Sequence, residues 1–284
     1  MDYVPYEFVK DVITQVDSLR PFLELSGQWR EVAEQRREEP VTSLIFQKSD
    51  DFSDIQFAFG DNDAWEALKN NRPVKYFIEE VHFVLEEEED LTHYPLDYEN
   101  AFLLEGYLKK NTYPVALYLR NSRYFSATTM KPLLHSIPRV SQLSGDCYCC
   151  DRSLFFEFFK KAVQRGTLEG YNVIRYQDVP EDYTKTIEEF VLSNRINYLS
   201  HVLPEHEDVT FLMLVLEAWI AKENCDTKYT LAVGPSLFHL VRHVMTKRGF
   251  EDRGDKETEG VVYQKEARKL RLQPGHEHFL SLRK

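Results

Sequence analysis

This chain has few glycines, no long apolar run and no excess of positive charge. Its 11 glycines are about 4% of 284 residues, against a usual share near 7%, and neither a Walker-type loop nor the dinucleotide fingerprint occurs. We therefore expect no phosphate site built on a glycine-rich turn. No run of about 18 apolar residues is available to span a bilayer, and the N-terminus has no secretory signal pattern. The expected location is the cytoplasm or the nucleus, without a membrane partner.

Basic residues are outnumbered by acidic ones, 35 to 47, which gives a formal net charge of −12. Such a chain repels a phosphate backbone, because proteins bind nucleic acid largely through Lys and Arg. Nucleic acid is therefore not an expected partner. With 43% hydrophobic and 29% charged residues, the composition is that of a globular chain of one or two domains.

The few cysteines and histidines do not form a recognisable metal site. Cys147, Cys149 and Cys150 crowd into one strand-like segment without the spacing of a zinc knuckle, and we interpret them as reduced. His239 and His243 lie four residues apart on a predicted helix, so they share one face, but no glutamate stands between them as in a protease zinc helix. We predict no metal ligand here.

Three further segments have ordinary structural interpretations. The run from Glu86 to Asp90 lacks the spaced oxygen ligands and the central glycine of a calcium loop. His276 and His278 follow Pro274-Gly275 in a tail loop, where we expect their side chains to point apart. The aromatic stripe from Phe155 to Phe159 is typical of a helix that packs in a core. No Gly-x-Ser-x-Gly elbow occurs, so we assign no catalytic residue and no cofactor, and we interpret the protein as a non-enzyme.

The organisation of the chain changes near Pro40. Before it, apolar residues three and four apart predict a helix from Val4 to Val16, a short element from Leu19 to Leu25 and a charged helix from Gln28 to Arg37. After it, strand-like segments begin at Ser43 to Phe46. We therefore predict two domains, residues 1–39 and residues 40–284.

The second predicted domain is of the α/β class. Strand-like segments alternate with helical segments of roughly 10–15 residues, which favours parallel βαβ connections. The extended segments recur about every 30 residues, a period at which such units can stack as a solenoid. No consensus repeat can be aligned to them. Two architectures stay open, an ordinary open α/β sheet and a degenerate leucine-rich-repeat-like solenoid.

The first forty residues carry more apolar surface than an element this short can bury alone. The apolar positions of its first helix are Phe8, Val9, Val12, Ile13 and Val16. The segment should therefore dock either on the rest of the chain or on a partner.

This N-terminal segment resembles an F-box. Val4-Pro5 stands where the motif has Leu-Pro, Phe8 to Ile13 match its first apolar helix, and Trp29 matches the aromatic residue before its last helix. Leu19, Leu23 and Leu25 correspond to the middle helix. Together with the α/β remainder, the segment looks like the lineage-expanded F-box-like proteins of nematodes.

The resemblance implies a non-catalytic substrate-recognition subunit of a cullin-RING ubiquitin ligase of the SCF type. In that family the helices bind a Skp-type adaptor and the downstream region receives a target protein. The residues expected at the adaptor interface are Val4, Pro5, Phe8, Val9, Val12, Leu25 and Trp29. The alternative is an α/β protein-interaction module without a ligase link, in which the helices are a structural cap at the first strand. An enzyme is the third interpretation.

Overall fold

The computed structural model describes residues 4–16, 19–48, 54–70, 76–85, 90–125, 127–145, 152–173, 182–193, 196–202, 209–221, 228–233, 235–254, 261–265 and 268–274. Helices alternate with strands in a mixed α/β fold, which confirms the predicted fold class. The leucine-rich-repeat-like solenoid stays a prediction. The backbone divides into two compact units between Val140 and Ser141.

The first unit opens with three helices, α1 (Tyr6–Gln15), α2 (Arg20–Leu23) and α3 (Gln28–Arg37). We call residues 4–37 the head. The remaining elements of this unit are β1 (Val41–Lys48), β2 (Ile55–Phe59), α4 (Asn62–Lys69), β3 (Phe77–Val84), β4 (Tyr94–Pro95), α5 (Tyr98–Lys110), β5 (Val115–Tyr118), a 3-10 turn (Ser122–Tyr124) and α6 (Ala127–His135). The head and these elements belong to one compact unit, and the domains 1–39 and 40–284 stay a prediction.

The strands of the first unit lie in the order β5, β3, β1, β2, β4. Strand β3 is parallel to both β1 and β5, while β2 is antiparallel to β1 and β4. The buried side chain of Asn111 pairs with the backbone where β3 begins: its amide group donates to the Ile78 carbonyl at 2.8 Å and accepts from the Ile78 backbone N–H at 3.0 Å. This side chain therefore fixes the end of α5 against β3.

Large aromatic side chains join α4 and α5 to one face of this sheet. The Trp65 ring of α4 lies 4.8 Å from the Phe57 ring and 6.1 Å from the Phe59 ring. Tyr107 of α5 packs on Phe59 at 6.4 Å. The two phenylalanines alternate along β2, so they share a face, and burial of such rings supplies most of the apolar area of this core.

The second unit contains β6 (Val140–Gly145), α7 (Arg152–Arg165), β7 (Gly170–Val173), α8 (Tyr183–Leu192), β8 (Tyr198–Val202), α9 (Val209–Ala221), β9 (Lys228–Val233), α10 (Pro235–Lys247), β10 (Glu251–Gly254), β11 (Val261–Lys265) and β12 (Arg268–Pro274). Its strands lie in the order β6, β7, β8, β9, β12, β11, β10. Neighbours from β6 to β12 are parallel, and the last two pairs are antiparallel. Helical crossovers between parallel strands explain the alternation seen in the sequence.

Helices α7 and α8 pack on the face of this sheet that carries Tyr171. Phe159 lies 4.4 Å from the Tyr171 ring, and the Tyr171 and Tyr183 hydroxyls are 3.0 Å apart. A Cβ added to Gly145 would fall 2.5 Å from the Phe155 ring, so β6 needs glycine here for α7 to approach. Phe155 and Phe159 are fully buried, which confirms the interpretation of the aromatic stripe as core.

Polar side chains occupy the opposite face of these strands. Gln142 is exposed, and Asn172, Tyr198 and Ser200 are half-buried. The register places Asn172 beside Ser200 on the next strand. Along β6, β7 and β8, the described side chains therefore form one aromatic face covered by helices and one more polar face.

Candidate partner-binding surface

Helix α1 presents two different faces. Pro5 precedes it with φ −58°, and its carbonyl accepts the first helical hydrogen bond from Val9 at 3.2 Å. Val9 and Ile13, four residues apart, are fully buried, whereas Phe8 is 54% exposed. A helix can turn only part of its circumference inward, so two adjacent apolar residues end in opposite environments.

The core of the head is small. Four residues are buried in it, with partly buried neighbours around them; the buried ones are Val9, Ile13, Val32 and Ala33. Trp29 stacks on Phe22 with ring centroids 5.6 Å apart, and its indole nitrogen is buried without a hydrogen-bond partner among the described residues. Trp29 therefore ties α2 to α3 by ring contact.

The predicted interface residues divide by exposure. Pro5, Phe8 and Leu25 are exposed, with Leu25 at 38%. Val4, Val12 and Trp29 are half-buried, and Val9 is entirely inside the head. Pro5, Phe8 and Val12 follow the spacing that places residues along one side of a helix. The surface that a partner can reach therefore centres on Pro5 and Phe8, while Val9 supports it from within.

Tyr6 belongs to the same helix and was not predicted as a surface residue. It is 38% exposed, and its hydroxyl donates to Gln35 at 2.9 Å, which links α1 to α3. The sequence signal was a tyrosine directly after Pro5, because tyrosine is enriched at positions where the ring is partly buried and the hydroxyl contacts water.

A buried arginine holds the head to the rest of the first unit. The Arg36 side chain, 5% exposed, donates to the Thr14 carbonyl at 3.3 Å and to the Thr112 carbonyl at 3.2 Å. Its guanidinium lies 4.2 Å from the Tyr113 ring centroid, and the Tyr113 hydroxyl donates to the Arg36 carbonyl. We call Arg36, Glu39, Thr112 and Tyr113 the Arg36 cluster. It joins the ends of α1 and α3 to the segment between α5 and β5.

The electrostatics of the Arg36 cluster follow from its burial. Burial lowers the pKa of Arg36 from its usual value, and the nearby Tyr113 and Glu39 act in the opposite direction. Burial, followed by the charge of Glu39, raises the pKa of Tyr113 to about 12. Tyr113 is therefore a protonated hydrogen-bond donor at neutral pH. The sequence signal was the position of Arg36, four residues after Val32 on the inward side of α3.

The candidate metal ligands are not brought together in the described residues. His239 and His243 are both exposed on α10. Across the part of the chain that the structure describes, no group of three or more His, Cys, Asp or Glu side chains is placed to hold a metal ion. Outside the described residues lie Cys147, Cys149, Cys150, His276, His278 and residues 86–89.

In the described ranges, no helix is long and apolar enough to cross a membrane. In comparisons with protein-family models, curated proteins and solved structures, no match was found for this chain.

Proposed function

We propose that this protein is the substrate-recognition subunit of an SCF-type cullin-RING ubiquitin ligase. The head binds a Skp-type adaptor, and the α/β region receives a target protein in the cytoplasm or nucleus. The observation that carries the proposal is the exposure of Phe8 at 54%, directly beside a fully buried Val9, on a three-helix unit. Pro5, also exposed, lies three residues before Phe8, so the two form one apolar surface on the side of the helix that a partner would cover.

The proposed adaptor surface comprises the exposed residues Pro5, Phe8 and Leu25 and the half-buried residues Val4, Val12 and Trp29. Phe8 is its central contact because it exposes the largest apolar side chain. We expect an interface of standard size, roughly 1,200–2,000 Å² in total, in which a few apolar residues contribute most of the binding energy.

A binding measurement with purified Skp-type adaptor tests the proposal. We expect the full chain to bind, and Pro5→Ala combined with Phe8→Ser to weaken binding at least about tenfold, since the central contacts are removed. Leu192→Ser is the matched control, because Leu192 is 62% exposed on α8 and lies outside the head. If the wild-type chain does not bind, or if the double variant binds as the control does, the proposal is wrong.

The second candidate is a protein-interaction module without a ligase link, in which the head is a structural cap. The Arg36 cluster favours it, because the hydrogen bonds of the buried Arg36 with Thr112 and Tyr113 fasten the head to the segment between α5 and β5. In that case, substitutions of Phe8 do not change the binding of any partner. The adaptor measurement therefore decides between the two functions.

A further inference from the structure

Helix α5 exposes a second apolar face, far along the chain from the head. Tyr98 is 85% exposed, Phe102 69% and Leu103 42%, whereas Leu104 and Leu108 on the other side of the helix are buried. A contiguous group of large exposed apolar side chains usually marks an interaction surface. The face belongs to the sheet region of the first unit and not to the head.

Gly106 lies at the centre of this exposed face. At 100° per residue, Phe102 and Leu103 fall on either side of it, and the buried residues fall opposite. No atom of the described residues outside the helix backbone lies within 4 Å of a Cβ built on Gly106. Glycine in a helix costs about 1 kcal/mol relative to alanine. Among the described residues, none beyond the neighbours of Gly106 in the chain occupies this space, so it is open to the close approach of another chain.

The charges at the two ends of the face are of opposite sign. Glu99 lies in the first turn, and Lys109 and Lys110 lie in the last turn. Two α5 helices packed in parallel would bring like charges together. Lys109 forms an ion pair with Glu105 of its own helix, with Nζ 2.5 Å from Oε1. In an antiparallel pair, each helix would therefore place Glu99 beside Lys110 of the other, so the face is complementary to itself.

We infer that this face of α5 binds the same face of a second copy of the chain, antiparallel, around a two-fold axis. In one register, Phe102 covers Gly106 of the second copy, and Glu99 meets its Lys110, which lies on the same flank of the helix. Both pairs are reciprocal, as a two-fold interface requires. The missing Cβ at Gly106 lets the ring of Phe102 approach the opposite backbone.

The interface is small. A helix of 13 residues is about 20 Å long, so the pair buries less than roughly 1,200 Å² in total, which is the range of weak, transient contacts. The inference is independent of adaptor binding, because neither Pro5 nor Phe8 takes part.

Sedimentation equilibrium of the full chain, from about 5 to 500 µM, measures this association on the scale where weak dimers dissociate. We expect the wild-type chain to approach the mass of a dimer as concentration rises. Phe102→Ser should weaken association at least about tenfold. Leu192→Ser, which removes an equally exposed apolar residue elsewhere, should leave it unchanged.

The substitution Gly106→Gln distinguishes loss of a close contact at the interface from misfolding of the variant. Glutamine is a better helix former than glycine, so the thermal midpoint of the variant should be equal to or above that of the wild type. Its side chain fills the space that Phe102 of the second copy would occupy, so association should fall at least about tenfold. Loss of association without loss of stability supports the inference.

Charge reversal tests the antiparallel register. Glu99→Lys alone should weaken association about threefold or more, and adding Lys110→Glu should restore it, since the double substitution exchanges the two charges within each reciprocal pair. A wild-type chain that stays monomeric to about 500 µM overturns the inference. So does a dimer that Phe102→Ser and Gly106→Gln leave intact, and failure of the charge swap to restore association overturns the register.

Discussion

The head and the sheet of the first unit are stabilised in different ways. In the sheet region, fully buried rings of Trp65, Phe57 and Phe59 pack against each other between helix and strand. In the head, the largest fully buried side chain is Ile13. A unit with so small a core needs support beyond apolar burial. The comparison shows large buried rings in the sheet region, whereas in the head the polar contacts of the Arg36 cluster accompany a small apolar core.

The largest expected effect is in the aromatic core. Trp65→Ala should lower the free energy of unfolding by about 3–5 kcal/mol, because it removes a buried ring that contacts Phe57, Phe59 and Tyr94 and leaves a cavity. Urea denaturation followed by circular dichroism measures it. Trp65→Phe is the control and should retain most of the stability. A loss below about 1 kcal/mol in Trp65→Ala would contradict the importance of this core.

The next effect is in the Arg36 cluster. Arg36→Met keeps an apolar stem of similar length but leaves the Thr112 carbonyl without its guanidinium donor, so we expect a loss of about 1–3 kcal/mol. Hydrogen exchange should accelerate in α1 and α3 more than in β1 and β3. Arg37→Met, at the adjacent exposed position, is the control. Equal exchange in the two variants would show that the head is held by its apolar contacts instead.

A smaller effect depends on pH. The folded-state pKa of Tyr113, about 12, lies above its unfolded value near 10, so the stability that it contributes is complete below pH 10 and is lost as the pH rises to 12. Tyr113→Phe should lower stability at pH 8 by about 1 kcal/mol, the usual size of one hydrogen bond. The difference from the wild type should shrink between pH 10 and 12. Urea midpoints at pH 8, 10 and 11 measure this trend, and a constant difference would refute it.

The smallest effect is at the exposed face of α1. Phe8→Ser should change the free energy of unfolding by less than about 0.5 kcal/mol, since the ring is 54% exposed in the chain alone. Val9→Ala, one residue away, should cost about 1–3 kcal/mol because Val9 is fully buried. The two chemical denaturation curves give the comparison directly. Similar losses in both would mean that Phe8 supports the head and is not free for a partner.

Local patterns in the sequence were sufficient to predict most elements. The helices expected at Val4 to Val16 and Gln28 to Arg37 are α1 and α3, with ends shifted by two residues or fewer. Helix α6 was missed because Pro132 lies inside it, and proline normally marks a helix end. The sequence from Asn197 to Val202 does not distinguish a strand from a buried helix, because a short apolar run suits both. In the structure it forms strand β8.

The candidate surface was only partly predictable, because it depends on how the helices rotate against each other. Phe8, Val9, Val12 and Ile13 are all apolar, and their order along the chain does not say which two enter the core. Packing against Val32 and Ala33 of α3 selects Val9 and Ile13. The role of Arg36 could not be predicted either, since Thr112 and Tyr113 lie more than 70 residues away along the chain.

Helices α7 and α8 cover one face of the sheet, so the side chains on the other face are under different packing constraints. Gln142, Asn172, Tyr198 and Ser200 stand on three neighbouring strands and lie opposite the aromatic core. A substitution on this face leaves the ring contact between Phe159 and Tyr171 in place. The polar face can therefore accept a wider range of side chains than the face that α7 and α8 cover.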